Sequence, residues 1–505
     1  MVVAVYSIAV LVAVAWLCRL CLSKSKPLPP GPRGLPFIGN FYKLPARYQW
    51  RQLDQWHKTY GPIITVRAGQ QIIISLANYK TANDLLAKRT SIYGSRPHTT
   101  VTQDSMLKDF GSILAPHGPR WMHNRKMQAS LLTAGRCQLY RPLQDVESRQ
   151  LLFNLLSSNG FEDEFDRYSD SLVSTLLYGK PLLTGKAPEI KEIAAVARDF
   201  LTLATPGMWL ADLFPILSWL PTSLADWRRV GNANYLYKMG FFQKCTEFAL
   251  SREAWNWTVE RQRSEKHAWD NDTVFTLGEL YQGGSHTTSA VLSAGVLACV
   301  SYPNAMRRVQ QELDAQVGED RLPDSQDMPG LGYTRAFVKE ALRWRTVFPM
   351  GGPHCALVDD EYEGYRIPKG AIVVANQSSL DMDHNVFEQP EQFEPQRWLD
   401  NPRLPHGAFG WGRRKCPGQH LAKNSLELVF ARMLWAYNLA WAEGQDQRLD
   451  CIEIEQTGIF CKPVNFGVKF SVRSDKRERV VREGAEGGWN HVEAILNDIG
   501  AKFAA

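Results

Sequence analysis

Phe409-Gly410-Trp411-Gly412-Arg413-Arg414-Lys415-Cys416-Pro417-Gly418 sets one cysteine in a glycine-rich, strongly basic loop, directly ahead of the helix-like run Gln419-His420-Leu421-Ala422. A thiolate is a soft ligand for iron, and nearby positive charge favours thiolate over thiol. Gly410, Gly412 and Gly418 open backbone angles closed to other residues and let a flat ligand come close. A helix beginning after Cys416 aims unpaired N–H groups and a positive dipole end at the sulfur. These residues describe a cysteine-ligated metal centre with an anionic rim. The bland alternative is a buried cysteine in a basic turn.

Working outward, the chain of 505 residues is 44% apolar and 22% charged, an ordinary globular balance. Sixteen Trp and 22 Phe allow a large core and aromatic-lined pockets. A formal charge of +6 is not the concentrated basic footprint of a nucleic-acid binder, so no nucleic-acid partner is expected. Nine cysteines form an odd set without repeating spacing, which implies no disulfide framework and suits a reducing compartment. Cys18-x-x-Cys21 has thioredoxin-like spacing but lies in an apolar segment, with no βαβ context.

Val2 to Cys18 carries no charge. Including the residues up to Leu22, that is close to the ~20 residues needed to cross a bilayer. Arg19, Lys24 and Lys26 follow and no Lys or Arg precedes, which puts the rest of the chain in the cytosol. Ala13-Val14-Ala15 looks like a signal-peptide cleavage site, but the positive n-region is missing. The expectation is therefore a retained single-pass anchor over residues 1–22. The sequons at Asn256, Asn271 and Asn376 then stay unglycosylated. Residues 23–40 form a hinge, because Pro27-Leu28-Pro29-Pro30-Gly31-Pro32 is stiff and extended rather than helical.

The body reads as mainly α with small β-sheets. Ile63-Ile64-Thr65-Val66 and Ile72-Ile73-Ile74 flank Ala68-Gly69-Gln70, a hairpin signal. Tyr362 to Val374, with Gly364 and Pro368-Lys369-Gly370, reads as another short sheet. Asp272 to Ser301 reads as one long helix, capped at Asn271-Asp272-Thr273 and stopped before Pro303. Its centre, Gly283-Gly284-Ser285-His286-Thr287-Thr288, puts glycines and polar groups inside an apolar helix. A local widening that admits a ligand or water accounts for both; the alternative is a simple kink or a helix–helix contact.

The order Phe-x-x-Gly-x-Arg-x-Cys-x-Gly resembles, at every position, the haem-binding loop of the cytochrome P450 family. Four further motifs fall in that family's order. Gly283 to Thr288 resembles its oxygen-binding helix motif, with His286 where the family carries an acid. Glu340-Ala341-Leu342-Arg343 with Arg397 in Pro395-Gln396-Arg397-Trp398 resembles its bracing network, whose role is structural. Trp121-x-x-x-Arg125 resembles its propionate-binding helix, and Gly352-Pro353-His354 the position of a propionate-binding Arg or His. The proline run resembles the hinge behind its anchor.

What the resemblance implies is a P450 fold over residues 41–473 behind the transmembrane helix, with a C-terminal extension, residues 474–505, of no assigned role. Cys416 would ligate the iron of haem b. Trp121, Arg125, His354, Arg414, Phe409, Gly410 and Gly418 would complete the cofactor site. Thr287 and Thr288 would sit at the oxygen site. His286 either shuttles protons or packs away while water delivers them. The co-substrates would be O2 and NADPH, through an NADPH–cytochrome P450 reductase steered by the cations Arg413, Arg414, Lys415 and Lys423. The location would be the endoplasmic reticulum membrane. Tyr362-x-Gly364 and Ile367-Pro368-Lys369-Gly370 look most like fungal members of biosynthetic clusters. The implied activity is a monooxygenase acting on a small apolar molecule, terpenoid ahead of polyketide or prenylated aromatic. Its rivals are a reductase-independent haem-thiolate isomerase or dehydratase and a non-catalytic haem-binding protein.

Overall fold

Alternating apolar runs close the sheet as their spacing dictates. Ile63–Ala68 and Gln71–Leu76 pair antiparallel with Ala68 opposite Gln71, and Gly69 takes the tight turn at φ +58°. Ile372–Ala375 joins the second strand in parallel and pairs in turn with His354–Cys355. This corrects the reading of Tyr362 to Val374 as one short sheet. Asp360–Tyr362 and Tyr365–Ile367 make a local hairpin about Glu363 and Gly364, both at positive φ. Val373, Val374 and Ala375 are buried and leave for the larger sheet, as suits an apolar strand covered on both faces.

The remainder is mainly helical. This computed structural model describes residues 26–157, 160–205, 207–264, 270–449 and 452–504. The expected anchor over residues 1–22 lies outside them. Among the described residues no single helix is long and apolar enough to cross a membrane. The proline run is tied to the body, for Pro30 O accepts from Thr65 N–H at 2.8 Å and Pro27 O from Arg366 N–H at 2.9 Å.

The spine is the helix Asn271–Ser301, 31 residues long, hence about 45 Å. Asp270, one residue before the expected cap, accepts the Thr273 N–H at 2.8 Å. The helix packs along Phe161–Tyr178 and under Asp226–Leu250. A Cβ at Gly295 would lie 2.1 Å from the Phe430 ring, so that glycine admits the helix Gln419–Ala436. The expected widening at Gly283 to Thr288 is absent, and the helix runs unbroken. Ser285 Oγ donates to Tyr281 O at 2.7 Å and Thr287 Oγ1 to Gly283 O at 3.0 Å. Carbonyls one turn back thus satisfy these hydroxyls without any change in helix pitch.

Glu340, fully buried, is the polar hub of the opposite side. It accepts from Arg343 at 2.7 and 2.9 Å, from Arg397 Nε at 3.2 Å, from Trp398 Nε1 at 2.9 Å and from the Glu394 N–H at 3.0 Å. The C-terminal extension folds as Asp475–Ala485 and Val492–Ala504. The second helix buries Val492, Leu496, Ile499 and Phe503, and the Phe503 ring lies 5.1 Å from that of Trp255.

Arg343→Ala leaves a buried carboxylate short of its main partner and is expected to cost ~3–5 kcal/mol. Thermal unfolding of the holoprotein measures it. The exposed pair Arg229–Asp226 supplies the control, since Arg229→Ala should leave the melt unchanged.

Candidate active site

Cys416 sits between a single turn, Gly412–Arg414, and the helix Gln419–Ala436. Its N–H donates to Phe409 O at 2.8 Å and closes the loop. Gly410 and Gly412 have φ of +76° and +52°. A Cβ on Gly412 would also lie 2.3 Å from Leu86 O, so only glycine fits there. Gly418 corrects the expectation: its φ is −80°, open to any residue. Its contribution is an N–H bonded to the Cys416 sulfur. Burial pushes the Cys416 thiol up, and the Gly418 N–H and Arg125 pull it down without cancelling the rise. A stable thiolate here therefore needs a cation on the sulfur itself.

Three half-buried guanidiniums surround this loop. Arg414 donates to Gly94 O at 2.8 Å, Ser112 O at 3.2 Å and Ala115 O at 2.8 Å. Arg96 donates to Ile113 O at 3.1 Å and to Pro353 O, and Arg125 donates to Lys415 O. Among the described residues none of the three pairs with a carboxylate. Burial, with repulsion from Arg96 and Arg125, pushes Arg414 down to about 9, and burial pushes Arg96 down to about 10. The indole of Trp121 lies under Arg414, 4.1 Å from ring centre to guanidinium carbon. His354 is buried, and its Nδ1–H donates to Tyr93 O at 2.8 Å. Burial and then Arg96 push it down to about 3, so its ring is neutral and Nε2 carries no proton. It donates to an anion only by gaining one, which a carboxylate beside it would favour.

This set fits haem. Unbalanced positive charge calls for an anion, and the two propionates of haem would supply it. Among the described residues no group of three or more His, Cys, Asp or Glu could hold a bare metal ion. A lone sulfur ligand therefore suits a metal that arrives with its other ligands. The midpoint of the spine adds an open face: Gly283 is exposed although the helix around it is buried, and a Cβ built there meets nothing within 4 Å. Thr287 lies one turn on along that face, and Thr288 beside it is half-buried.

The cytochrome P450 family model matches residues 29–470. Cytochrome P450 monooxygenase aneD of Aspergillus aculeatus is 40% identical over 485 residues, covering 94% of each chain. FrzL of Cladobotryum, of the same description, is 38% identical over 94% of this chain and 93% of its own. The peniB monooxygenase of Penicillium patulum is 38% identical over 95% and 91%. The chain belongs to the cytochrome P450 family. It is thus an oxygen-incorporating oxidoreductase whose cofactor is haem on a cysteine thiolate, supplied with O2 and with NADPH electrons through a reductase.

Within this P450, His286 turns to the neighbouring helix Phe161–Tyr178, where its Nδ1 lies 3.6 Å from Asp166 Oδ1. One turn before Gly283 on the spine, Glu279 carries a buried carboxylate. It accepts from Ser112 N–H at 2.6 Å and Oγ at 3.2 Å. Burial raises Glu279 and lowers its neighbour Lys238, whose Nζ lies 4.5 Å over the Phe275 ring and 4.6 Å over that of Phe200. Of the four cations expected to face a reductase, Arg413 and Lys415 are exposed. Lys423 is 3.7 Å from Glu427. Arg414 points inward and leaves that surface.

Sequence reasoning missed Arg96. Its signal is faint: Ser95-Arg96-Pro97 borders a backbone bridge from Ser95 to Cys355, and only the fold brings that to His354. Removing a charged hydrogen-bond donor costs about 1.5–3 kcal/mol, or at least about tenfold in affinity. Arg96→Ala and Arg414→Ala are each expected to speed haem loss by that factor, read by transfer to apomyoglobin. Arg413→Ala should leave it unchanged.

Proposed function

We propose that this P450 inserts one atom of O2 into an apolar secondary-metabolite precursor, with terpenoid skeletons favoured. The balance is RH + O2 + NADPH + H⁺ → ROH + H2O + NADP⁺. The observation that carries the reading is the Cys416 sulfur, set in a loop ringed by three guanidiniums that have no carboxylate among the described residues. Haem, when bound, supplies the redox chemistry of oxygen. Cys416 holds its metal. Arg96, Arg125, Arg414, Trp121 and His354 hold its carboxylates. Phe409, Gly410 and Gly418 shape the loop against it. The Thr287 hydroxyl, whose proton goes to Gly283 O, offers its oxygen as an acceptor on the open face of the spine, with Thr288 beside it and His286 behind it.

The proposed organisation is an anchor at 1–22, a hinge at 23–40, a catalytic body at 41–473 and the extension at 474–505. The location is the endoplasmic reticulum membrane, with the body in the cytosol. An exposed apolar face supports the membrane. Leu35, Phe37 and Ile38 are exposed, as are Leu210, Ile216, Trp219 and Leu224, with Phe37 at 90% and Trp219 at 85%. The hairpin joins the two groups, for the Gly69 N–H donates to Ile38 O and the Gln70 N–H to Leu213 O. Patches of this kind on a monomer mark an interaction surface. Exposed Arg413 and Lys415 support an acidic reductase docking by steering.

With a fungal NADPH–cytochrome P450 reductase and labelled oxygen gas, a terpenoid product should carry one labelled oxygen, at a rate that falls with added salt. Unlabelled product formed without NADPH would instead mark an isomerase or dehydratase. Pigment with no product at all would mark a haem-binding protein. Cys416→Ala should lose the red-shifted Soret band of the ferrous carbonyl form. A chain beginning at Lys26 should float with phospholipid vesicles, and the pair Ile216→Ser and Trp219→Ser should abolish that.

A further inference from the structure

His286 stands where the P450 family carries an acid, and the structure shows where acids stand instead. Asp166 and Asp170 lie one turn apart on Phe161–Tyr178, the helix that packs along the spine. Asp166 Oδ1 is 3.6 Å from His286 Nδ1 and accepts from Ser289 Oγ at 2.5 Å. Asp170 is fully buried one turn deeper. The third charged group facing the imidazole is Lys462, on the strand Phe460–Val464. Lys462 is 22% exposed and lies 3.7 Å from Glu455, which is 49% exposed on the adjoining strand. Glu162, half-buried on the helix that carries Asp166, borders the same group. The Lys462, Asp166 and His286 side chains are 22%, 23% and 21% exposed, so this polar cluster reaches solvent at the level of the spine next to Thr287.

We propose that Asp166 is the acid of this enzyme's proton path, recharging His286 from solvent, so that the acid and the proton donor stand on two adjacent helices. This rests on the monooxygenase reading. His286 gives up one proton toward the Thr287 side of the spine. It regains one at Nδ1 through Asp166, whose 23%-exposed carboxylate is reprotonated from water. The pair's proton count is unchanged over a turnover, and the net proton consumed is the one in the equation above. Asp166 acts through His286 and is a positioning residue in that sense.

The titration of these groups agrees with the geometry. Burial alone would push His286 down, but Asp166 and Asp170 outweigh it and hold the imidazolium above its ordinary value. Burial raises Asp166, yet the hydrogen bond and charge of His286 bring it below the usual carboxylate range. Burial pushes Asp170 up to about 7. A proton carrier works best when its pKa lies near the working pH, which suits the raised imidazole rather than the lowered carboxylate, so Asp166 stays ionised between transfers and passes each proton on to His286. Because His286 is raised, its charge is present below the ordinary histidine value and lost as pH climbs through the raised one. Product formed per NADPH should therefore fall on the alkaline side.

The test uses the full-length holoprotein. Histidine-labelled ferrous carbonyl protein, diamagnetic and free of turnover, gives the His286 titration by NMR, assigned by the signal missing in His286→Gln. Asp166→Asn should lower that midpoint toward the ordinary value. In reconstituted turnover it should cut product per NADPH at least about tenfold, with hydrogen peroxide rising in place of product. The alkaline fall should move to lower pH, and Asp166→Glu should restore both. The ferrous carbonyl spectrum shows that each variant is folded and loaded. A His286 midpoint that ignores Asp166→Asn overturns the proposal. So does product per NADPH unchanged in that variant, or a loss equal at every pH that Asp166→Glu does not restore. Wild-type protein that never forms oxygenated product overturns the monooxygenase reading instead, and the NMR arm still decides the pairing.

Discussion

Unmatched positive charge around Cys416 is the constraint on which the rest depends. Arg96, Arg125 and Arg414 repel one another in a partly dry region, and among the described residues backbone carbonyls and the Trp121 ring, but no carboxylate, answer them. A carbonyl dipole relieves a buried cation less than a carboxylate does. Those carbonyls belong to Gly94, Ser112, Ile113, Ala115, Pro353 and Lys415. Arg125 and Arg414 therefore pin neighbouring segments to the cysteine loop, Arg96 ties Ile113 to Pro353, and all three leave their charge for a ligand. Anything dianionic that binds only the folded chain stabilises it by mass action, so loading and folding are linked.

Glu340 shows the opposite arrangement. Its charge is answered by two arginines, an indole and an amide, so nothing is left for a ligand. That closed hub connects to the open one through rings. Trp398, bonded to Glu340, lies 5.6 Å from the His406 ring, and His406 lies 6.2 Å from Phe409. Phe409 O then receives the Cys416 N–H. Burial pushes His406 down to about 4, so this link stays neutral and pH does not loosen it across the ordinary range. The satisfied hub at Glu340 is rigid, and rigidity is what a sulfur needs in order to meet a metal at one fixed position.

The cysteine loop was legible because its meaning is local: ten consecutive residues hold the sulfur, the glycines and the first cation. Glu340 with Arg343 is legible at i,i+3, and Arg397 follows from its own short motif. Other features depend on what faces a residue across the fold. Arg96 acquires its role beside Arg414, 318 positions later, and Asp166 beside His286, 120 positions later; nothing in either neighbourhood signals the partner. Gly418 was misread because glycine names a permission, and here the N–H rather than the angle is used. Gly283 to Thr288 misled in a similar way. Buried hydroxyls need acceptors, but the carbonyl four residues back supplies them inside an ordinary α-helix. Arg414 was read both as an inward and as a surface cation, and one side chain cannot point both ways.

The spine concentrates its polar cost at one level. Val291 to Val300 is an almost continuous buried run, and Val274 to Leu277 another. Burial at about 25 cal/mol per Å² makes such runs strongly stabilising. Between them the helix carries Glu279, Gly283, Gly284, His286 and Thr287, none of which favours an apolar interior. Each charge there is answered from a different neighbour: Glu279 by the Ser112 loop and Lys238, His286 by Asp166. Had both partners lain on the spine, the i,i+4 geometry would have closed them on each other and turned them away from the open face. Partners held by separate elements leave that face of the helix free. The apolar ends thus fix the rod in place, and the borrowed charges keep its middle both polar and accessible.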